Sequence, residues 1–394
     1  MSLLSLADID VRSKRALMRV DLNVPLDTDG RITDDTRIRA ILPTLRHLLD
    51  HGGRVILISH LGRPKGISES LRLKPVAERL SELLGRPVQT APDCIGEIAT
   101  RQAADLKDGE CLMLENIRFY PEEEKNDPDF ARRLAALGDI YVNDAFGTSH
   151  RAHASTEGVT RFLTVRAAGF LMQKELDYLR GALTHPKRPL VTILGGAKVA
   201  DKIAVTERFV ELADTLIIGG GMAYTFLKSQ GEEIGASLLD SEHIEFAGGV
   251  MERAKTVGRA FLLPIDHIIA KSLDVSASVQ TVKRIPSGWM GLDIGPETQT
   301  LFTRAITSAG TILWNGPMGV FEREAFAVGT AMVAAALAAA TDRGAVSIIG
   351  GGDTAAAVAS LGLQDRMSHV STGGGASLEL LEGRMLPGVA ALER

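Results

Sequence analysis

Cysteine is almost absent from this chain: its 394 residues carry two, Cys94 and Cys111. Two cannot build a disulfide framework or a thiolate metal site. Both read as small buried residues of a reducing compartment. No apolar run reaches the roughly 18 residues of a membrane-spanning helix. The amino terminus, MSLLSLADIDV, carries acids early and has no basic segment ahead of a long apolar stretch, which argues against a secretory signal. Excess positive charge is missing too. The formal net charge of −5 argues against a dedicated nucleic-acid or membrane-surface binder. Two phosphate-binding signatures are also lacking. There is no GxxxxGK(S/T) loop, and the first apolar run ends in Asp21-Leu22-Asn23 rather than GxGxxG.

What is present fits a soluble globular protein, with 45% apolar and 24% charged residues. The length points to two domains. In the first half, apolar runs end in polar pairs: Ala16–Val20 then Asp21-Leu22-Asn23, Arg54–Ile58 then Ser59-His60, Cys111–Leu114 then Glu115-Asn116, Ile140–Val142 then Asn143-Asp144. Helical stretches, such as Ile38–His51 and Pro75–Leu84, lie between them. This alternation predicts a parallel sheet covered on both faces, with ligands bound beyond the carboxyl ends of its strands. In the second half, apolar runs that include Leu190–Leu194, Leu216–Ile218, Val346–Ile349 and Val370–Thr372 end instead in glycines, and strands and helices are expected to alternate to the end. The alanine-rich stretch Ala331–Ala340 reads as helix. Between the halves, Met172, Leu176, Leu179 and Leu183 fall on one helical face. Pro186 and Pro189 stop that helix. The fold expected is therefore α/β: two parallel sheets flanked by helices and joined by a helix.

Basic residues collect around the polar strand ends: Arg19, Arg37, Arg39, His60, Arg63, Arg118, Arg151 and His153. Paired guanidinium donors suit carboxylate and phosphate, although each arginine alone could be a solvated surface residue. His60 and His153 read as hydrogen-bonding groups in preference to proton carriers. Asp21 and Asn23 are either turn residues before Pro25 or acceptors for a ligand hydroxyl.

The glycine turns let backbone amides approach an anion. After Gly195-Gly196, Lys198 and Lys202 have the spacing of one helical face, so both could address one phosphate chain. Gly351-Gly352-Asp353-Thr354 reads as a helix cap, or as a Mg²⁺ contact by Asp353 and a phosphate contact by Thr354. Glu322, after Asn315-Gly316-Pro317, could hold ribose hydroxyls. Gly373 and Gly374 open what reads as the last helix, where amides could stabilise a transferring phosphoryl group.

Taken together, RVDLNVP (19–25), SHLGRP (59–64), ENIRF (115–119), NDAFGTSHRAHAS (143–155), LGGAKVADKI (194–203), GGGMAYTF (219–226), DIGPET (293–298), WNGPMGVFE (314–322), GGGDTAAAV (350–358) and STGGGASLELLEG (371–383) closely resemble the phosphoglycerate kinase family. The resemblance implies two similar-sized domains facing a cleft. Residues 1–170, plus about 380–394, would bind 3-phosphoglycerate or 1,3-bisphosphoglycerate. Residues 186–379 would bind Mg-ADP or Mg-ATP, and 171–185 would connect the two. It further implies a cytoplasmic, monomeric glycolytic enzyme. Asp21, Leu22, Asn23, Arg37, His60, Leu61, Gly62, Arg63, Arg118 and Arg151 would contact phosphoglycerate. Lys198, Lys202, Gly219, Gly220, Asn315, Glu322, Gly351, Gly352, Asp353 and Thr354 would serve the nucleotide, Asp353 through magnesium. Arg37, Lys198, Gly373 and Gly374 would act on the transferring group. The chain departs from the family's usual residues at Ser149, Gln173 and His267, none of which carries an implied role.

Phosphoryl transfer between two ionised oxygens needs alignment and positive charge but no general base. Donors divided between two domains imply closure before reaction. Two other functions compete. A dinucleotide-dependent oxidoreductase would need the missing GxGxxG. A nucleotide-sensing scaffold without activity would be expected to have lost Arg37, Lys198 or Asp353.

Overall fold

Continuous apolar runs become buried strands because both faces of each sheet are covered. In the computed structural model, which describes residues 3–274 and 278–393, the first such sheet contains β1 (Arg15–Arg19), β2 (Arg54–Ile58), β3 (Val88–Thr90), β4 (Cys111–Met113), β5 (Ile140–Asn143) and β6 (Arg166–Ala168). Its order is β3-β4-β2-β1-β5-β6, and every pairing is parallel. Four helices accompany it: α1 (Thr36–Asp50), α2 (Lys74–Leu84), α3 (Glu97–Asp105) and α4 (Pro128–Ala135). Leu45, Leu48, Val76 and Leu80 of α1 and α2 join Val55 and Leu57 of β2 in one apolar core.

α5 (Phe170–Thr184) follows, with Met172, Leu176 and Leu179 buried and Leu183 half-buried. The same buried face also carries the carboxylate of Glu175, which periodicity alone did not single out. The chain divides within this helix into two compact units, Met1–Leu176 with Met385–Arg394, and Asp177–Arg384.

The second unit contains β7 (Leu190–Leu194), α6 (Ile203–Leu212), β8 (Thr215–Ile218), α7 (Ala223–Ser229), α8 (Ile244–Thr256) and β9 (Ala260–Leu262). Three strands come next: β10 (His267–Ala270), β11 (Gln280–Val282) and β12 (Met290–Ile294). The regular pattern then resumes with α9 (Pro296–Thr307), β13 (Thr311–Asn315), α10 (Val328–Asp342), β14 (Val346–Gly350), α11 (Gly352–Ser360), β15 (His369–Val370) and α12 (Gly375–Leu381). Its main sheet, β15-β14-β13-β7-β8-β9, is again parallel throughout. Ala331–Ala340 lies inside α10, which packs on α9.

Three sequence expectations need correction. Strand and helix do not alternate to the end, because β10, β11 and β12 form a separate antiparallel sheet of order β11-β10-β12. Lys198 and Lys202 do not share a helical face: Lys198 lies in irregular chain just before a bend at Val199, and Lys202 ends a 3₁₀ turn ahead of α6. The Gly373–Gly375 turn opens α12, but α13 (Pro387–Ala390) follows within the first unit. His267 is buried on β10, with its ring 5.5 Å from that of Tyr224. Burial lowers its pKa to about 4, so it behaves as a neutral core residue.

Candidate active site

The carboxyl ends of β1, β2 and β4 place the polar pairs of the first unit side by side. Asp21 accepts from Arg37 Nη1 at 2.7 Å and from the Asn23 amide at 3.2 Å, so it is both an ion-pair partner and a turn former. Asn23 Oδ1 accepts the Gly62 amide at 2.8 Å. The Gly62 carbonyl accepts from Arg118 Nη1 at 2.9 Å. Gly62 has φ +65°, and a Cβ there would lie 2.8 Å from the Leu71 side chain, so the position requires glycine. Leu22 and Leu61 are core residues. Their amides donate to Ser59 Oγ and Asn116 Oδ1, so they hold the loops and present no free group.

His60 is buried against Arg19, with Nη2 of Arg19 at 3.3 Å from its Nδ1. Desolvation, then the charges of Arg19, Arg118 and Arg37, hold its pKa well below the usual imidazole value. Desolvation, then the charges of Arg19, Arg118 and Arg151, bring His153 to about 4. Both rings are neutral near pH 7 and can donate one hydrogen bond and accept another. Arg118 is itself buried, and burial followed by the fields of Arg19 and Arg151 lowers its pKa. Arg37, His60, Arg118 and Arg151 thus share one electropositive patch. Arg63, next to Gly62, is exposed, and Arg39 pairs with Asp35 one helical turn away.

Residues that the sequence reading left without a role brace this patch. The side chain of Asn116 makes four hydrogen bonds among the described residues, accepting from the amides of Leu61 and Arg118 and donating to the carbonyls of Leu61 and Leu71. Glu123 is fully enclosed and accepts both the amide and the hydroxyl of Ser155, while Arg19 Nε donates to Ser155 Oγ at 2.8 Å. A polar residue directly after an apolar strand was a signal for Asn116. Nothing in the run PEEEK separates Glu123 from its neighbours.

In the second unit, the glycines first serve the packing of loop on loop. A Cβ on Gly195 would lie 2.1 Å from the Pro317 carbonyl, and one on Gly220 (φ +65°) would lie 2.5 Å from the Gly196 amide nitrogen. Gly219 faces Met318 equally closely. The Gly196 amide donates to Pro317 and the Gly220 amide to Met318, which stitches the loops after β7, β8 and β13 together. Gly352 is different. Nothing lies within 4 Å of a Cβ built there, so open space adjoins the amides that begin α11.

Neither side chain of the Asp353-Thr354 pair caps α11; Gly351 occupies the cap position with φ +86°. Thr354 is buried, and its Oγ1 accepts the Gly316 amide at 2.7 Å. Asp353 is exposed and close enough to Lys202 to act on its charge. Lys202 Nζ donates to Asn315 Oδ1 at 2.5 Å. Its burial lowers its pKa, against the opposing pull of Asp201 and Asp353. Lys198 and Glu322 are exposed. The Gly373 amide donates to Ser371 Oγ at 3.1 Å, so it is already engaged, while Gly374 sits at the start of α12 with φ +51°.

An arginine-rich strand edge in one unit and a glycine-lined edge bearing Lys202 and Asp353 in the other define a two-unit α/β phosphotransferase. A sequence profile of phosphoglycerate kinase matches residues 6–384. The chain is 56% identical to the cytosolic phosphoglycerate kinase of Triticum aestivum over 99% of its own length and 98% of that protein's. It is 57% identical to the chloroplastic phosphoglycerate kinase of Volvox carteri over 98% of its length and 85% of that protein's. The solved structure of phosphoglycerate kinase from Coxiella burnetii superposes with a TM-score of 0.90 at 40% identity, covering 99% of both chains. The chain belongs to the phosphoglycerate kinase family, and its activity is the glycolytic phosphoglycerate kinase reaction, in which a phosphoryl group passes reversibly between 1,3-bisphosphoglycerate and ADP.

Proposed function

We propose that the first unit, with the carboxyl-terminal return, binds the phosphoglycerate and that residues 186–379 bind the nucleotide. The observation that carries this reading is the contrast between the two strand edges: arginines and neutral histidines in one, open amides beside a half-buried lysine in the other. Arg118, Arg151 and Arg63 take the phosphate and carboxylate of phosphoglycerate. His60 and Asn23 orient it, and Asp21 accepts from its hydroxyl while holding Arg37. Arg37 and Lys198 neutralise charge on the transferring group, with the Gly374 amide and, once released by Ser371, the Gly373 amide. Lys202 and the Gly351–Gly352 amides hold nucleotide phosphates, and Thr354 keeps the Gly316 turn in place beside Asn315. Gly219 and Gly220 line the base side, and Glu322 takes the ribose.

Among the described residues no group of three or more acidic, histidine or cysteine side chains could hold a metal ion. One exposed carboxylate beside a glycine turn fits Mg²⁺ that arrives with the nucleotide, the phosphates completing its oxygen shell. Asp353 would hold it there, and the ion supplies charge neutralisation of the phosphate oxygens. The reaction needs both ligands within transfer distance, so the units close on each other when both are bound. The enzyme acts as a cytoplasmic monomer on 3-phosphoglycerate or 1,3-bisphosphoglycerate and ATP or ADP, with no nucleic-acid or membrane partner. No helix among the described residues is long and apolar enough to cross a membrane.

The test is a coupled assay of ATP consumption with 3-phosphoglycerate and Mg²⁺. Arg37→Ala and Lys198→Ala should each lower kcat by about 10²–10³, the loss expected for one preorganised donor. Unchanged turnover in either folded variant would remove that residue from the mechanism.

A further inference from the structure

Glu322 lies in a loop between β13 and α10 that has little regular structure of its own, and its exposed side chain makes no hydrogen bond among the described residues. Its position therefore depends on how the backbone around it is held. Besides the bonds already described at Gly316, Pro317 and Met318, the loop is anchored by the Val320 amide to the Leu292 carbonyl of β12 at 3.0 Å and by the Met318 amide to Thr330 Oγ1 at 3.0 Å. A further anchor is Asp293, next to Leu292 on β12 and 2% exposed. Its Oδ2 accepts the Gly329 amide in the first turn of α10 at 2.7 Å, and its Oδ1 accepts the amide of Ile294 at 2.8 Å. The carboxylate also fills the space beside two glycines. A Cβ on Gly319 would lie 2.5 Å from Oδ1, and one on Gly329 would lie 2.2 Å from it. Both ends of the 319–329 segment thus close on one buried carboxylate.

We propose that Asp293 is a positioning residue for nucleotide binding, clamping the ends of the 319–329 segment so that Glu322, three residues past Gly319, meets the ribose hydroxyls. The proposal rests on the reading of Glu322 as the ribose contact. The clamp needs a carboxylate, because both oxygens face donors or close-packed backbone. An asparagine would turn its own N–H₂ toward one of them. Burial raises the Asp293 pKa to about 7, so the test below is run at pH 8 or above, where the group is ionised and its acceptance is charge-assisted.

A double-mutant cycle on the whole enzyme tests both layers. Glu322→Gln should raise the KM for ATP about tenfold, and Asp293→Asn should raise it about fivefold, with kcat and the KM for 3-phosphoglycerate within about twofold of wild type. The double variant should be no worse than Glu322→Gln alone, because Asp293 acts through Glu322. Thr330→Val frees the Met318 amide, loosens the same segment without touching Asp293, and should show the same dependence on Glu322. It carries the cycle if Asp293→Asn does not fold. If Glu322→Gln leaves the KM for ATP unchanged, the ribose reading falls and the clamp with it. If Glu322→Gln raises the KM for ATP but the folded anchor variants do not, or their effects multiply in the double variants, the clamp is refuted and the ribose reading stands.

Discussion

His60 and His153 show why a residue's environment outranks its type. Each looks like a proton carrier by reference value, yet burial and neighbouring arginines keep both neutral. We expect kcat/KM to show no histidine limb between about pH 5.5 and 8, measured with 3-phosphoglycerate as the varied substrate. The folded-state pKa of His153 is lowered from 6.5 to about 4. Its stabilising contribution is thus complete above 6.5 and lost as pH falls toward 4. His153→Gln should flatten that part of the stability curve in urea titrations at a series of pH values. At Gly220 the constraint is steric: Gly220→Ala adds a Cβ 2.5 Å from the Gly196 amide nitrogen at φ +65°. We expect a loss of about 1–3 kcal/mol in stability, with weaker nucleotide binding, read by denaturation and by calorimetric titration of ADP. At this scale the motif residues were legible. Glu123 and Asn116 were not given roles, because what defines them is the set of distant partners that folding supplies.

Element-scale behaviour centres on α5. Its amino end is tied to the first unit by Asp144, whose Oδ1 accepts the Met172 amide at 3.1 Å, and by Thr44 Oγ1, which accepts the Phe170 amide. Tyr178, further along, stacks on His369 of β15 with ring centres 4.8 Å apart. Burial raises the pKa of Asp144 from 3.8 to about 6, and its Oδ2 has no partner among the described residues. A raised carboxyl pKa means that the folded state holds the proton more tightly, so the contribution is full below about 3.8 and lost as pH rises through about 6. Asp144→Asn keeps the acceptor for Met172 and removes the titration. It should match wild type near pH 4 and exceed it at pH 7.5 by up to about 3 kcal/mol, as read from urea midpoints. The face of α5 was legible from its apolar spacing. The break between Lys198 and Lys202 was not: a four-residue spacing implies one helical face only if the helix has already begun, and here a bend and a 3₁₀ turn precede it.

The whole molecule is held by segments far apart in the chain. Leu386, Val389 and Leu392 are buried, and the Gly388 amide donates to the Ser149 carbonyl of the first unit. Burying three such side chains is worth roughly 4–8 kcal/mol as an upper figure. Ending the chain at residue 384 should therefore lower the stability of the first unit by several kcal/mol, as read from its denaturant midpoint, whereas an unaltered midpoint would show the return to be dispensable. We further expect small-angle scattering to give a smaller radius of gyration with both 3-phosphoglycerate and ATP bound than with either alone. The sequence by itself determined the two parallel sheets, the helix between them and the family, because apolar periodicity and strand-end motifs are local patterns that survive without coordinates. Only the tertiary structure decided that β10, β11 and β12 form a third sheet, that the glycines pack loop on loop, that His60 is neutral, and that Asp293 faces both Gly319 and Gly329. Those outcomes depend on which distant groups exclude water from one another, and no local pattern encodes that.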